Sequence, residues 1–251
     1  MDSTTRLHAG SFGAAAAAYQ RGRPAYPEAA LDWLLPEAAG DRAAPIRVLD
    51  LGAGTGKLTQ QLVERGVDVV AVEPSEAMLA ELRRSLPEVE ARAGTAESIP
   101  LSDGAVDVVL VAQAWHWVDP RVAVPEVARV LKPGGRLGLL WNCREEGEGW
   151  TGDLGRLMGR LGSMEDNSRN PPVGPPFGAI DRRDFPWSNP ITVEALVDLV
   201  ASRSYVIVLP EEEQRKVLDE VRAIAAREPG FGAGGTMPMP YVTRCSRATL
   251  T

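Results

Sequence analysis

The sequence predicts an α/β fold, doubly wound around a mostly parallel sheet, and three observations carry that prediction. Short apolar runs alternate with helix-like stretches between residues 46 and 141. Runs such as Val106–Val111 are continuous in valine and leucine, as a strand buried on both faces requires. The segments between runs are long enough for crossover helices, which parallel strands need. With 251 residues, 44% hydrophobic and 24% charged, the chain is large enough to bury a core and too apolar for wholesale disorder.

The elements follow in order. Ala14 to Ala18 favour a helix that Pro24 and Pro27 interrupt. Pro27 suits the first turn of a second helix, running to Leu35. Ile46 to Leu51 is a strand ending in a glycine-rich turn, and a helix follows from Lys57 to Arg65, ended by Gly66. Val67 to Val72 is a second strand. Ser75 caps a helix that stops at Leu86, before Pro87. Val89–Ala93 and Val106–Val111 are the third and fourth strands, Val122–Leu131 is helical, and Lys132-Pro133-Gly134-Gly135 turns into a fifth strand, Arg136–Trp141.

Regularity lapses between Cys143 and Pro190, where glycines recur before Pro171-Pro172-Val173-Gly174-Pro175-Pro176. So long a stretch reads as a lid, a binding insertion or disorder. Thr192–Ala201 reads as helix and Ser204–Leu209 as strand. Pro210 opens another helix, with Glu211, Glu212 and Glu213 at its positive end, and Tyr241–Leu250 makes a last strand.

Composition narrows the partners. Gripping a nucleic-acid backbone takes clustered lysine and arginine. Here 34 acids outnumber 27 bases, giving a charge of −7, so no nucleic-acid partner is expected. No run reaches the roughly 18 apolar residues of a membrane span. Cys143 and Cys245 are isolated and read as reduced thiols, and Met1 to Arg6 lack the apolar core of a secretion signal. A cytoplasmic protein is the expectation. His8 and His116 are the two histidines, and no cysteine or histidine pair has ligand spacing, so no metal is expected.

The strongest local signal is Val48-Leu49-Asp50-Leu51-Gly52-Ala53-Gly54-Thr55-Gly56, a glycine loop between strand and helix. Such glycines let a ligand approach the backbone without Cβ obstruction. A P-loop would need glycine at Leu51 and serine or threonine at Leu58, so that reading fails. The dinucleotide spacing Gly-x-Gly-x-x-Gly also misses: from Gly52 the third glycine comes one residue early, and from Gly54 the position is Thr59. The flanking acids fit a third ligand class. Asp50 would oppose a pyrophosphate but favour an ammonium or a sulfonium. Glu73, nineteen residues after Gly54, is suited to accept from both hydroxyls of a ribose. An adenosine with a cationic amino-acid tail matches both carboxylates.

Five elements in order, Asp50-Leu-Gly-Ala-Gly-Thr-Gly56, Glu73, Gly94-Thr-Ala-Glu-Ser-Ile-Pro100, Val106-Asp-Val-Val109 and Leu131-Lys-Pro-Gly-Gly135, resemble the class I S-adenosylmethionine (SAM)-dependent methyltransferases. The likeness is to their type 11-like, small-molecule group and covers roughly residues 45–145. Tyr19-Gln-Arg-Gly-Arg-Pro-Ala-Tyr-Pro27 is similar to that group's N-terminal cap. The resemblance implies a seven-stranded Rossmann-like sheet, an N-terminal cap over 1–36, and a SAM-binding domain over 37–251 with a substrate-cover insertion at 143–190. It implies that Gly52, Gly54 and Gly56 line the methionine and ribose of SAM, with Asp50 turned toward the loop or the amino group. Glu73 would hold the ribose, and Ala96 would touch the adenine through its amide. Thr95 stands where the family often has an acid, which weakens the adenine contact. Gln113 would face the methionine end, and Tyr19 and Arg23 would close over it.

Trp115-His116-Trp117 follows the fourth strand, where open α/β sheets place their ligand crevice. His116 reads as a general base, a group that positions substrate, or a packing histidine. Trp115, Trp117 and Trp141 read as substrate-pocket or core residues. Ser202-Arg203-Ser204-Tyr205, polar at a helix-to-strand junction, reads as reaching the pocket or as capping the helix, with the structural role favoured. The expected function is methyl transfer from SAM to a small-molecule acceptor. The alternatives are a nicotinamide-dependent oxidoreductase, in which Glu73 again holds a ribose, and a non-catalytic SAM-binding or interaction module.

Overall fold

The computed structural model describes residues 23–36, 45–161 and 168–251. The Ala14–Ala18 helix, His8 and Tyr19 lie outside the described residues. The chain runs α1 (Glu28–Leu34), β1 (Arg47–Leu51), α2 (Lys57–Glu64), β2 (Asp68–Glu73), α3 (Glu76–Ser85), β3 (Glu90–Ala93) and β4 (Val106–Ala112). After a 3-10 turn at Trp115–Trp117 come α4 (Pro120–Val130), β5 (Leu131–Arg144), α5 (Trp150–Leu161), β6 (Asp181–Ile191), α6 (Val193–Ala201), α7 (Ser204–Ile207), α8 (Glu211–Ala225) and β7 (Met237–Thr249). Among the described residues no helix is long and apolar enough to cross a membrane.

Seven strands form one sheet in the order β3-β2-β1-β4-β5-β7-β6. The four pairs from β3 to β5 are parallel. Beyond them the direction changes. Leu250 N donates to Gly135 O at 2.9 Å and Glu145 N to Pro240 O at 3.0 Å, so partner numbers along β7 fall as those along β5 rise. The seven-stranded α/β architecture is as expected, but the sheet is mixed, and β7 runs antiparallel to β5.

The chain divides into two compact units. The first takes residues 25–142, 166–185 and 243–251. Its core packs Leu31 and Leu34 of α1 with Val48 of β1, Leu58 and Leu62 of α2, and Val108 and Leu110 of β4, all buried. Each buried leucine contributes about 1.5–3 kcal/mol relative to exposure. The second unit takes Arg23, Pro24 and the described residues of 143–165 and 186–242. Its core joins Trp150, Leu154 and Leu157 of α5, Leu196 and Leu199 of α6, Val217 and Val221 of α8, and Tyr241 of β7. The spacing of the α5 and α8 residues is that of one helical face.

Two expectations are corrected. Ser204–Leu209 is not a strand: Ser204–Ile207 is the short helix α7, with Val206 buried in the second core. Nor is the stretch from Cys143 to Pro190 without regular structure, since it holds α5 and most of β6.

Candidate functional site

The parallel strands leave the C-terminal ends of β1, β2 and β4 side by side, and the sheet order reverses between β1 and β4. That reversal is where open α/β sheets form their ligand crevice. Register aligns Leu51 with Val72, and the loop after β1 is tied to β2 by Gly52 N and Ala53 N, which donate to Val72 O at 2.8 and 3.1 Å. Gly52, Gly54 and Gly56 all have positive φ. A Cβ on Gly52 would lie 2.8 Å from the Ala114 Cβ, so the loops after β1 and β4 meet at a distance only glycine permits.

Glu73 closes β2 and is 6% exposed. Its Oε2 accepts from Gly54 N at 2.9 Å and its Oε1 from Ser75 N at 2.9 Å. Each oxygen keeps a further lone pair for a ligand hydroxyl. Burial raises the Glu73 pKa, opposed by the two main-chain donors. Asp50 is fully buried on β1, and its Oδ2 accepts from Thr59 Oγ1 at 2.6 Å. Burial pushes its pKa from 3.8 up to about 7, with the Thr59 hydrogen bond opposing and the Glu73 charge adding to the rise. Its Oδ1 is buried with no partner among the described residues. Asp50 is thus turned toward α2, the loop side of the two orientations expected for it. Thr59, its partner, carries no motif signal of its own.

Gln113 follows β4 with φ +58, a left-handed conformation that is strained for a residue other than glycine. Gln113 N donates to Leu140 O at 2.9 Å and its Nε2 to Asn142 O at 3.2 Å, which hold it there. Asn142 in turn donates to Ala25 O and accepts from Thr243 Oγ1 at 2.6 Å. Thr95 and Ser98 pair across a tight turn after β3, with Ala96 buried between them. Gly94 N donates to Glu73 O at 3.4 Å, which sets this turn beside the ribose-holding candidate.

Of the aromatic residues, Trp115 is 1% exposed and its indole donates to Pro172 O at 3.3 Å, so its ring is part of the packing. Trp141 is also buried, and its Nε1 donates to His116 Nδ1 at 3.5 Å. The His116 ring lies 4.9 Å from that of Trp117. The first unit therefore brings Asp50, Gly52, Gly54, Gly56, Glu73, Thr95, Ala96, Gln113, His116, Trp117 and Trp141 to the ends of its parallel strands. Arg23 belongs to the second unit, where its Nε donates to Ser202 Oγ at 3.2 Å.

An adenosine cofactor with a cationic tail fits these residues. Gly52 has no room for a side chain and Gly56 little, Glu73 retains acceptor capacity, and the Asp50 Oδ1 lacks a donor among the described residues.

The fold and the acid-flanked glycine loop together define a methyltransferase-type domain, and residues 49–139 match the family model described as a methyltransferase domain. An uncharacterized methyltransferase of Mycobacterium tuberculosis is 56% identical over 240 residues, covering 96% of each chain. An uncharacterized methyltransferase-like protein of Schizosaccharomyces pombe is 39% identical over 219 residues, covering 84% of each. Among solved structures, a candidate type II methyltransferase from Anaeromyxobacter dehalogenans has a TM-score of 0.65 at 24% identity, covering 90% of this chain and 97% of that one, a likeness of fold. The chain belongs to the class I SAM-dependent methyltransferase family.

Proposed function

We propose that this methyltransferase uses SAM as its methyl donor and acts on a small-molecule acceptor by in-line displacement. The observation that carries the reading is Glu73, fixed by two main-chain donors beside a glycine cradle and still able to accept from a ribose. When bound, SAM supplies a methyl group on a cationic sulfur that is already activated for displacement. Chain residues then have mainly to align the acceptor, and such positioning contributes roughly 7–11 kcal/mol.

On this reading Glu73 holds the ribose, the backbone at Gly52, Gly54 and Gly56 lies along the ribose and methionine, and Thr95 and Ala96 border the adenine. Gln113, at the end of β4, faces the methionine end. Asp50 braces the loop through Thr59. His116 accepts from Trp141 at Nδ1, which leaves the neutral ring's proton on Nε2. In that state His116 orients an acceptor by donating a hydrogen bond. Trp117 supplies an aromatic wall beside it.

Calorimetric titration of SAM, S-adenosylhomocysteine and NADH into ligand-free protein, with Glu73→Ala alongside, tests the proposal. Binding of the first two, weakened at least tenfold by the substitution, is the expected result. Binding of NADH alone would move the protein to nicotinamide chemistry, and silence for all three from folded protein would leave the glycine loop a structural turn.

A further inference from the structure

The second unit contains a group of three cations, Arg23, Arg144 and Arg203. Arg144 ends β5 with its side chain 10% exposed, and its one carboxylate neighbour among the described residues is Glu146, at 3.8 Å and itself 59% exposed. Arg203 lies between α6 and α7 and has no carboxylate partner among the described residues. Arg23 is brought to the same place by Ser202, the residue before Arg203: its Nε donates to Ser202 Oγ at 3.2 Å and its Nη2 to Ser202 O at 3.5 Å. Ser202 is fully buried and fixed by its own bond to Leu199 O at 2.8 Å.

Tyr241 completes the group. It is 1% exposed, and its ring stacks on Trp187 at 5.2 Å, which fixes where the phenol points. The three arginines are its charged neighbours: each pulls its pKa down against the larger effect of burial, which raises it. Burial also lowers the Arg144 pKa, and the nearby Arg203 charge lowers it further.

In this unit the buried side-chain polar atoms without a partner among the described residues are Trp187 Nε1, Arg203 Nε and Tyr241 Oη. All three can donate, and Tyr241 Oη is the one of them that can also accept. Buried donors left unpaired cost about 1–3 kcal/mol each, and the nearly buried Arg144 and half-buried Arg23 and Arg203 repel one another. A fold keeps such an arrangement when something supplies the acceptors and the negative charge. A carboxylate or phosphate does both, and the guanidinium fork matches either geometry.

We propose that Arg23, Arg144, Arg203 and Tyr241 form a binding site for one carboxylate or phosphate group of a small organic anion. The oxyanion takes the Arg203 and Tyr241 donors, and its charge offsets the mutual repulsion of the arginines.

The test titrates succinate and inorganic phosphate, at low ionic strength, into the full chain and into Arg203→Met, Arg144→Met and Tyr241→Phe, with SAM titrated separately into each. Thermal melts confirm folding, and Tyr241→Phe keeps the ring stack should an arginine variant fail to fold. The expected result is saturable binding of one or both anions, weakened at least tenfold in each folded variant while SAM affinity changes by less than twofold. Preference for succinate or for phosphate identifies the group recognised. No anion binding, or equal binding by parent and variants, overturns the site. A matched loss of SAM affinity overturns it as well, because the arginines would then hold the cofactor's own carboxylate. Anion binding in a protein that ignores SAM would sustain the site and overturn the methyl-transfer reading.

Discussion

Asp50→Asn is the substitution with the most calculable consequence. The parent carboxyl is fully buried, and its pKa is raised from 3.8 to about 7 chiefly by that burial. In the native state it therefore holds its proton to about pH 7, whereas the unfolded chain releases it near pH 4. The associated stability is fully present below pH 3.8 and is lost progressively as pH rises to about 7. At about 1.4 kcal/mol per pKa unit, a shift of about three units costs roughly 4 kcal/mol above neutrality. About 2–3 kcal/mol of that falls between pH 5 and pH 8 by the same linkage relation. Asparagine retains an oxygen to accept from Thr59 but cannot ionise. Urea denaturation of both proteins across this range should show the parent losing stability relative to the variant by about 2–3 kcal/mol. A difference that stays constant with pH would mean that Asp50 is ionised throughout, and the account of its burial would be wrong.

Gly52→Ala forces a side chain into φ +74 and a Cβ to 2.8 Å from Ala114, so we expect a loss of roughly 1–2 kcal/mol in urea denaturation together with weakened SAM binding. An alanine variant as stable as the parent, binding SAM equally well, would contradict the cradle. His116→Gln keeps a donor near Nε2 but removes a titrating base. Turnover within about tenfold of the parent is expected, and a loss of about 10³ or more would assign His116 to proton transfer instead. Burial pushes the Cys245 thiol up to about 12, with the Asp184 charge adding to the rise. The native protein should leave Cys245 unmodified by a thiol reagent at pH 8, read by mass spectrometry, until denaturant is added. Modification of Cys245 at the pace of the half-buried Cys143 would refute this.

The parts of the fold legible in the sequence are those whose signals are local. β1, α2, β2, α3 and β4 fall within a residue or two of expectation because continuous apolar runs mark buried strands. Caps such as Ser75, which accepts from Met78 N, mark helix starts. The errors have physical causes. In α5, Gly152 and Gly155 are among the recurring glycines that read as irregular chain. Both are instead close-approach positions: a Cβ on Gly155 would lie 2.6 Å from the Glu146 Cδ, and one on Gly152 would lie 2.4 Å from Gly147 O. β6 contains Pro186 and Pro190, which argue against an interior strand, but β6 is the edge of the sheet, where a missing N–H is tolerated. Tyr205, Val206 and Ile207 carry strand preference in a run too short to have a period, and burial of Val206 in the second core decides for helix.

The site divides along the same line. Asp50, the three glycines and Glu73 lie within one strand-helix-strand unit, so their spacing exposes them. Thr59 has meaning only through its contact with Asp50. The arginine group joins positions 23, 144, 203 and 241, which nothing in the linear order connects. Read alone, Ser202 to Tyr205 is a polar junction, and Arg203 within it acquires a role only from its tertiary neighbours.

The way Glu73 is held has a consequence for turnover. Both its oxygens are anchored to main-chain N–H groups of the loops they serve, so the handle is shaped before any ligand arrives. On the proposed reading, a handle of that kind grips the sugar alone. The spent form of a methyl donor keeps the same sugar, so whatever Glu73 adds to capture of the fresh molecule it adds equally to retention of the used one. Exchange between the two must then be driven by their relative abundance and by the one feature that separates them, the positive charge on sulfur. On the proposed reading, the contact at the end of β2 adds no discrimination between donor and product.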